Sequence, residues 1–189
     1  MKSTTLLIED HKHMLRALRV LEAISMSAEC GHPTNESDVR DIVEFLVGFG
    51  DRIHQGREES ILFPALLRDN AQKHYPELYG LIFDHNRQRS LIEGLQESML
   101  SKEKKVFVYC ARRLVGILRH HIQEEEDSLF PLANSTLSPD EDACVAADME
   151  AQDKAWHDEN IPRLFRRLDC LEANYCTKPP TRLRSRSVV

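Results

Sequence analysis

The chain has 189 residues, 41% hydrophobic and 30% charged, with a net charge of −6. That length supports one domain with a sizeable core, and the acidic balance argues against general nucleic-acid binding. No apolar run approaches the roughly 20 residues that span a bilayer. The start, MKSTTLLIEDHKH, turns charged after three apolar residues and is not expected to be a signal peptide. The five Cys form no CxxC pair, so free, reduced thiols in the cytoplasm are expected, with Cys110 and Cys144 in the core.

Few Gly and aromatics beside many Leu, Glu and Arg favour helix. A first helix is expected over about Thr4–Ser27, with Leu7, His11, Leu15 and Leu18 on one stripe. A second is expected over about Ser37–Asp69, carrying Val43, Leu46, Val47, Gly50, His54, Glu58, Ile61 and Ala65 at three- and four-residue steps. A third starts near Pro76, a favoured first-turn residue, and carries Leu78, Leu81, His85, Ile92 and Leu95. A fourth spans about Lys102–Ala133, with Phe107, Cys110, Leu114, Ile117, His121, Glu125 and Leu129 inward. Short polar breaks between them suit antiparallel neighbours. Ser138-Pro139-Asp140-Glu141 is a capping box that opens a further helical stretch, which Pro162 is expected to break in two. The fold class is therefore all-α: an up-down-up-down four-helix bundle over residues 1–135. A C-terminal helical extension over 136–173 packs on it. A disordered basic tail over 174–189 carries Lys178, Arg182, Arg184 and Arg186.

Two patterns occur twice. His54–Pro64 reads HQGREESILFP and His121–Pro131 reads HIQEEEDSLFP; both are His, three residues, Glu-Glu, two residues, Leu-Phe-Pro. Leu7–His11 reads LIEDH and Leu81–His85 reads LIFDH. The chain is thus a weak internal duplication of a helical hairpin. His54 and Glu58 are four apart and share a helix face, as do His121 and Glu125. Those faces are the apolar stripes that point inward, and His11 and His85 each sit in such a stripe. A lone His of this kind is usually a hydrogen-bonded core residue, and HxxxE is usually a surface pair. Four such features, duplicated, point to a cation instead, because unpaired buried carboxylates are costly. Imidazole and carboxylate donors suit iron, manganese or zinc. Six donors exceed one tetrahedral ion. They suit two octahedral ions, each held by two His with both carboxylates bridging, and leave positions for an oxo or hydroxo bridge and an outside ligand.

Over about residues 5–135 this set resembles the hemerythrin-like, HHE cation-binding family of four-helix di-iron proteins. The resemblance implies two iron ions, with His11, His54, His85 and His121 as terminal ligands and Glu58 and Glu125 as bridges. Oxygen-carrying members have a further His four residues after the third-helix ligand, where this chain has Arg89. The pattern is nearer to bacterial four-His, two-Glu members. His157 is the one candidate for an additional ligand. His13 and His120 are expected to face away from the site, and His32 and His74 to lie at loop junctions. Glu59 and Glu126 are candidates to accept the outer N–H of ligand His residues. Asp10 and Asp84 could each reach a His on a neighbouring helix. Phe63 and Phe130 are expected to wall the site, and Tyr79 and Tyr109 either to donate to a bound ligand or to pack at the boundary. The Leu-Phe-Pro triplets are expected to end their helices.

The implied function is binding or sensing of dioxygen, nitric oxide or peroxide in oxidative or nitrosative stress or iron homeostasis. The alternatives are an enzyme consuming peroxide or nitric oxide, and an iron store or donor. Neither a nucleic-acid partner nor a membrane is expected.

Overall fold

A computed structural model describes residues 1–68, 71–156 and 160–176. These form six helices and no strand. Helix α1 spans Lys2–Glu29. Helix α2 is continuous but mixed: α-helical over Glu36–Phe45, π-helical over Leu46–Gln55 and Glu58–Leu62, and α-helical again over Phe63–Leu67. Helix α3 spans Ala71–Ser101. Helix α4 runs through Lys104–Glu124, a π turn at Glu125–Leu129, and Phe130–Thr136. Helices α5 and α6 span Pro139–Trp156 and Asn160–Tyr175. No helix among the described residues is long and apolar enough to cross a membrane.

Several boundaries differ from expectation. Helix α3 begins before Pro76, which lies inside it. The Leu-Phe-Pro triplets do not end their helices, which continue to Leu67 and Thr136. The reason is the π turn before each triplet. Phe63 N–H bonds to the Glu58 carbonyl and Phe130 N–H to that of Glu125, each five residues back. The wide turn carries the next proline ring off the carbonyl four residues earlier, the clash that breaks an α-helix. The extension does divide in two, but upstream of Pro162, which occupies the first turn of α6. The last helix passes residue 173 and reaches Tyr175. Residues 177–189, most of the expected tail, lie outside the described residues.

The first four helices pack in a ring, each against its sequence neighbours, with α4 closing on α1. Cross-helix contacts show the antiparallel sense. On α1 and α4, Glu29 meets Arg112 while His11 meets Glu125. On α2 and α3, Asp51 meets Arg89 while Glu59 meets His85. Gly94 lets α3 approach α4 closely, since a Cβ there would lie 2.8 Å from Cys110 Sγ. The apolar core is split into two layers. One holds Met14, Leu18, Ile24, Ile42, Phe45, Phe49, Leu114 and Leu118. The other holds Leu7, Leu62, Phe63, Leu66, Leu81, Leu129 and Phe130, with Val145 and Met149 from α5. By residue number, His11, His54, Glu58, His85 and Glu125 fall between the two layers, and His121 lies at the edge of the first, one residue before Ile122.

Helices α5 and α6 cover the α1–α2 face. Leu164, Leu168 and Leu171 of α6 join the first core layer, and Gly48 admits Leu164, whose Cδ1 would be 2.8 Å from a Cβ there. Arg16 Nε and Arg19 Nη2 donate to Glu172 at 2.9 and 2.7 Å, and Tyr175 donates to Asp38 at 2.7 Å. Helix α5 starts as the capping box requires: Ser138 N–H donates to Glu141 at 2.8 Å and Glu141 N–H to Ser138 Oγ at 3.3 Å. Contrary to expectation, Cys144 on this helix is exposed, while Cys110 is buried. Cys144 lies on the solvent side of α5, whose inward stripe is Val145 and Met149.

Helix α5 also caps α1. Met1 provides no side-chain cap; Asp142 accepts instead from the N–H groups of Lys2 and Ser3 at 2.8 and 3.2 Å, and from the Ser3 hydroxyl. Burial pushes the Asp142 carboxyl up, but these donors outweigh it and hold it below its ordinary range. A depressed carboxyl contributes stability above the unfolded-state pKa and loses it as pH falls through the folded one. Asp142→Ala is therefore expected to cost about 1–2 kcal/mol near neutral pH, a fall in Tm of roughly 2–8 °C by scanning calorimetry. Wild type and variant should converge as the medium is acidified below the carboxylate range.

Candidate metal centre

The centre is built by one residue stripe from each bundle helix. The stripe on α1 brings His11 inward between Leu7 and Met14, all buried. His54 and Glu58 come from α2 and His121 and Glu125 from α4. Each pair is followed at once by the π turn described above, so both glutamates sit where the backbone changes pitch. Helix α3 gives His85. Apart from His11 and His121, at 1% exposure or less, these side chains are wholly buried.

The imidazole Nε2 atoms converge on the two carboxylates. His121 Nε2 lies 2.8 Å and His85 Nε2 3.8 Å from Glu125 Oε1, and His11 Nε2 lies 3.1 Å from Glu125 Oε2. His85 and His54 Nε2 lie 3.4 and 3.7 Å from Glu58 Oε2. The Nε2 atoms of His85 and His121 are 2.9 Å apart. The six residues form two overlapping quartets, each with its ligand atoms within 4.8 Å of one another. His11, His54, Glu58 and Glu125 make the first; Glu58, His85, His121 and Glu125 make the second. The glutamates belong to both, the arrangement expected of two ions sharing two bridges.

The polar bookkeeping fits a cation. Neither oxygen of the wholly buried Glu58 meets a hydrogen-bond donor, and His54 Nε2 is likewise without a partner. Orphaned groups of this kind cost about 1–3 kcal/mol each, more when charged. Burial pulls the His85 imidazole down, yet the carboxylates of Glu125, Glu58 and Glu59 around it outweigh it and push its pKa up to about 11. Burial raises the Glu125 carboxyl, but the imidazoles of His121, His11 and His85 around it hold it well below its ordinary range. The carboxylates hold positive charge at the centre, the role a bound metal would take over.

Outside this layer, the Nδ1 atoms reach a carboxylate in three cases of four. His11 Nδ1 donates to Glu126 at 2.8 Å and His85 Nδ1 to Glu59 at 2.7 Å. His54 Nδ1 makes no hydrogen bond but lies 3.5 Å from Asp10, an ion-pair distance, and Asp10 also pairs with the buried Arg57. His121 Nδ1 has neither a hydrogen bond nor a carboxylate beside it. Glu59 and Glu126 thus take the role weighed for them, as does Asp10. Asp84 does not; it pairs with Arg87 at 2.8 Å. Arg89 points away from the centre, donating to Asp51 at 2.7 Å and to Glu59 at 2.8 Å. The rings of His11 and His85 stack on Phe130 and Phe63, with centroids 5.4 and 6.2 Å apart.

Tyr79 and Tyr109 are exposed and neither reaches the centre nor packs inside. His120 is exposed beside Glu124, and His32 is exposed. His13 does face away from the centre but is partly covered: its ring meets Phe165 and Phe49 edge-on at 4.7 and 5.9 Å. His157 lies outside the described residues. Two residues near the centre occupy variable positions of the repeated motif. Arg57 clamps Asp10, and Gln55 donates to Gln88 at 2.6 Å in the core. Both pairings are tertiary, and only the odd placement of Arg57 and Gln88 close to inward stripes could have flagged them.

The family model described as hemerythrin HHE cation binding domain matches residues 3–133. No curated protein and no solved structure matches the chain.

The outer carboxylates yield a test. A ligating His that loses its outer acceptor usually costs 10–100-fold in metal affinity. Glu59→Ala should weaken metal binding by roughly that factor in a competitive chelator titration, whereas Tyr79→Phe and Tyr109→Phe should leave it unchanged.

Proposed function

Since the chain belongs to the hemerythrin HHE cation-binding family, we propose that its buried His and Glu residues hold two iron ions that bind a small ligand reversibly. One ion takes His11 and His54, the other His85 and His121, and Glu58 and Glu125 bridge them. The observation that carries this is Glu58: a fully buried carboxylate with no donor on either oxygen, facing two imidazole Nε2 atoms. A bound cation would meet both oxygens and offset the cost of burying that charge.

The four imidazoles and two carboxylates would hold the ions, and the ions would supply the position at which a diatomic molecule or peroxide binds. The protein supplies the surroundings. Glu126, Glu59 and Asp10 orient three imidazoles and fix their tautomers. The two apolar layers above and below exclude bulk water. Tyr79 and Tyr109 lie outside, so neither of these phenols is placed to donate a proton to a bound ligand. This favours binding and sensing of dioxygen, nitric oxide or peroxide over chemical conversion, and a role in oxidative or nitrosative stress or iron homeostasis.

Protein purified in air is expected to contain two irons per chain by elemental analysis, with near-ultraviolet absorption of a bridged di-ferric pair. Exposure to each ligand should change that spectrum reversibly. Sustained consumption of peroxide or nitric oxide over many turnovers would make the protein an enzyme instead, and loss of iron to weak chelators without any ligand response would make it a store. Glu58→Ala should lower the iron content and alter the spectrum; two irons and an unchanged spectrum in that variant would overturn the ligand assignment.

A further inference from the structure

The internal duplication permits a comparison of the centre with itself. His54 and His121 occupy equivalent places in the two HxxxEExxLFP segments, and Asp10 and Asp84 equivalent places in the two LIxDH segments. On the α1–α2 side a carboxylate is held at ion-pair distance from the outer nitrogen of His54, and the face is covered. Asp10 lies 3.5 Å from His54 Nδ1 and is clamped by Arg57, and both are at least nine-tenths buried. Leu6 and Ile61 beside them pack against a layer that includes Val145 and Met149 of α5.

On the α3–α4 side the aspartate is kept, but its clamp, its contact and the cover over it all differ. The counterpart of Arg57 is Glu124, so the cation that would clamp the aspartate is an anion. Asp84 is drawn to Arg87 at 2.8 Å, and Glu124 to His120 at 3.2 Å. His121 Nδ1, in a ring 1% exposed, is left without an acceptor. No described helix covers this face. In its place is a groove of about 640 Å3, lined among others by Asp84, Glu124, Ser128, Leu81 and Leu129. Leu81 and Leu129 belong to the core layer directly below the centre.

Resting on the di-iron function proposed above, we infer that the two metal positions are unequal: the ion held by His85 and His121 is the exchangeable one, and it enters and leaves through the α3–α4 groove. Two physical effects act together. A ligand His with no outer acceptor is less basic and less firmly oriented, which weakens its hold on the metal. Two carboxylates at a groove mouth raise the local concentration of cations and offer oxygen donors to one in transit. Neither effect operates on the α1–α2 side, where Asp10 is occupied and α5 fills the equivalent place. The ion held by His11 and His54 is the permanent one.

The test is timed chelation of the full chain loaded with two ferrous ions without air. Wild type should lose iron in two phases of equal amplitude. Glu124→Arg restores the counterpart of Arg57 on an exposed site. It should slow the fast phase by roughly tenfold or more, the scale of an outer-shell contact, and leave the slow phase alone. Anomalous diffraction from crystals of half-extracted protein should place the remaining ion between His11 and His54. A single phase for both ions, a fast phase insensitive to Glu124→Arg, or a residual ion between His85 and His121 would each overturn the inference. A chain that takes up no iron at all would instead overturn the di-iron function on which it rests.

Discussion

Two carboxylates, Glu58 and Glu125, stand at full burial in the middle of an otherwise apolar bundle, and much else in the molecule follows from accommodating their charge. Four imidazoles are drawn in around them, one from each helix. Three of those imidazoles need acceptors on their far side, which brings in Glu59, Glu126 and Asp10. Those acceptors need counter-charges in turn: Arg89 for Glu59 and Arg57 for Asp10. The chain of obligations runs outward from the centre until it reaches water. It also divides the core, because a polar layer of this width separates the apolar packing into two clusters that each close independently.

The C-terminal helices are bound into the same scheme by a different route. Asp142 fastens α5 to the first turn of α1, the helix that carries His11. Leu164, Leu168 and Leu171 of α6 extend the upper apolar layer. The described residues of these helices contribute no group to the two quartets, but they fix α1 and α2 relative to one another and seal that half of the bundle. The other half has no such cover among the described residues. One half of the molecule is thus a closed holder and the other an open one, although both descend from one hairpin pattern.

The six central residues were legible in the sequence because the pattern is duplicated and because His and Glu at inward positions contradict the stripe they sit in. The bundle was legible from four long periodic segments with short breaks. What escaped was of two kinds. The π turns leave no trace in the spacing, since a His and a Glu four apart share a face in either kind of turn. Pro64 and Pro131 therefore looked like helix ends when they are passed within continuous helices. The partners of Asp10 and Asp84 also escaped, because which carboxylate reaches a neighbouring imidazole depends on the cation beside it. Arg57 against Glu124 is a difference the repeat displays openly, but its effect appears only when the helices are side by side. Pro162 misled for a simpler reason: a proline is tolerated in a first turn, and α6 begins just ahead of it.

The π turns after Glu58 and Glu125 also set how the helices are phased. An ordinary helix advances about 100° per residue, so an extra residue in a turn re-aims everything beyond it. Up to the first residue of the turn, α2 and α4 direct His and Glu at the centre; from its last residue onward, the same helices direct Leu62, Leu66, Leu129 and Ala133 into the lower apolar layer. The two ends of each helix are therefore aligned as separate pieces joined by an adjustable coupling. A one-residue deletion there would tighten the backbone into regular α pairing and yet turn the lower half of the helix out of register with its neighbours. The His and Glu layer and the apolar floor beneath it can each keep their own alignment only because that irregularity stands between them.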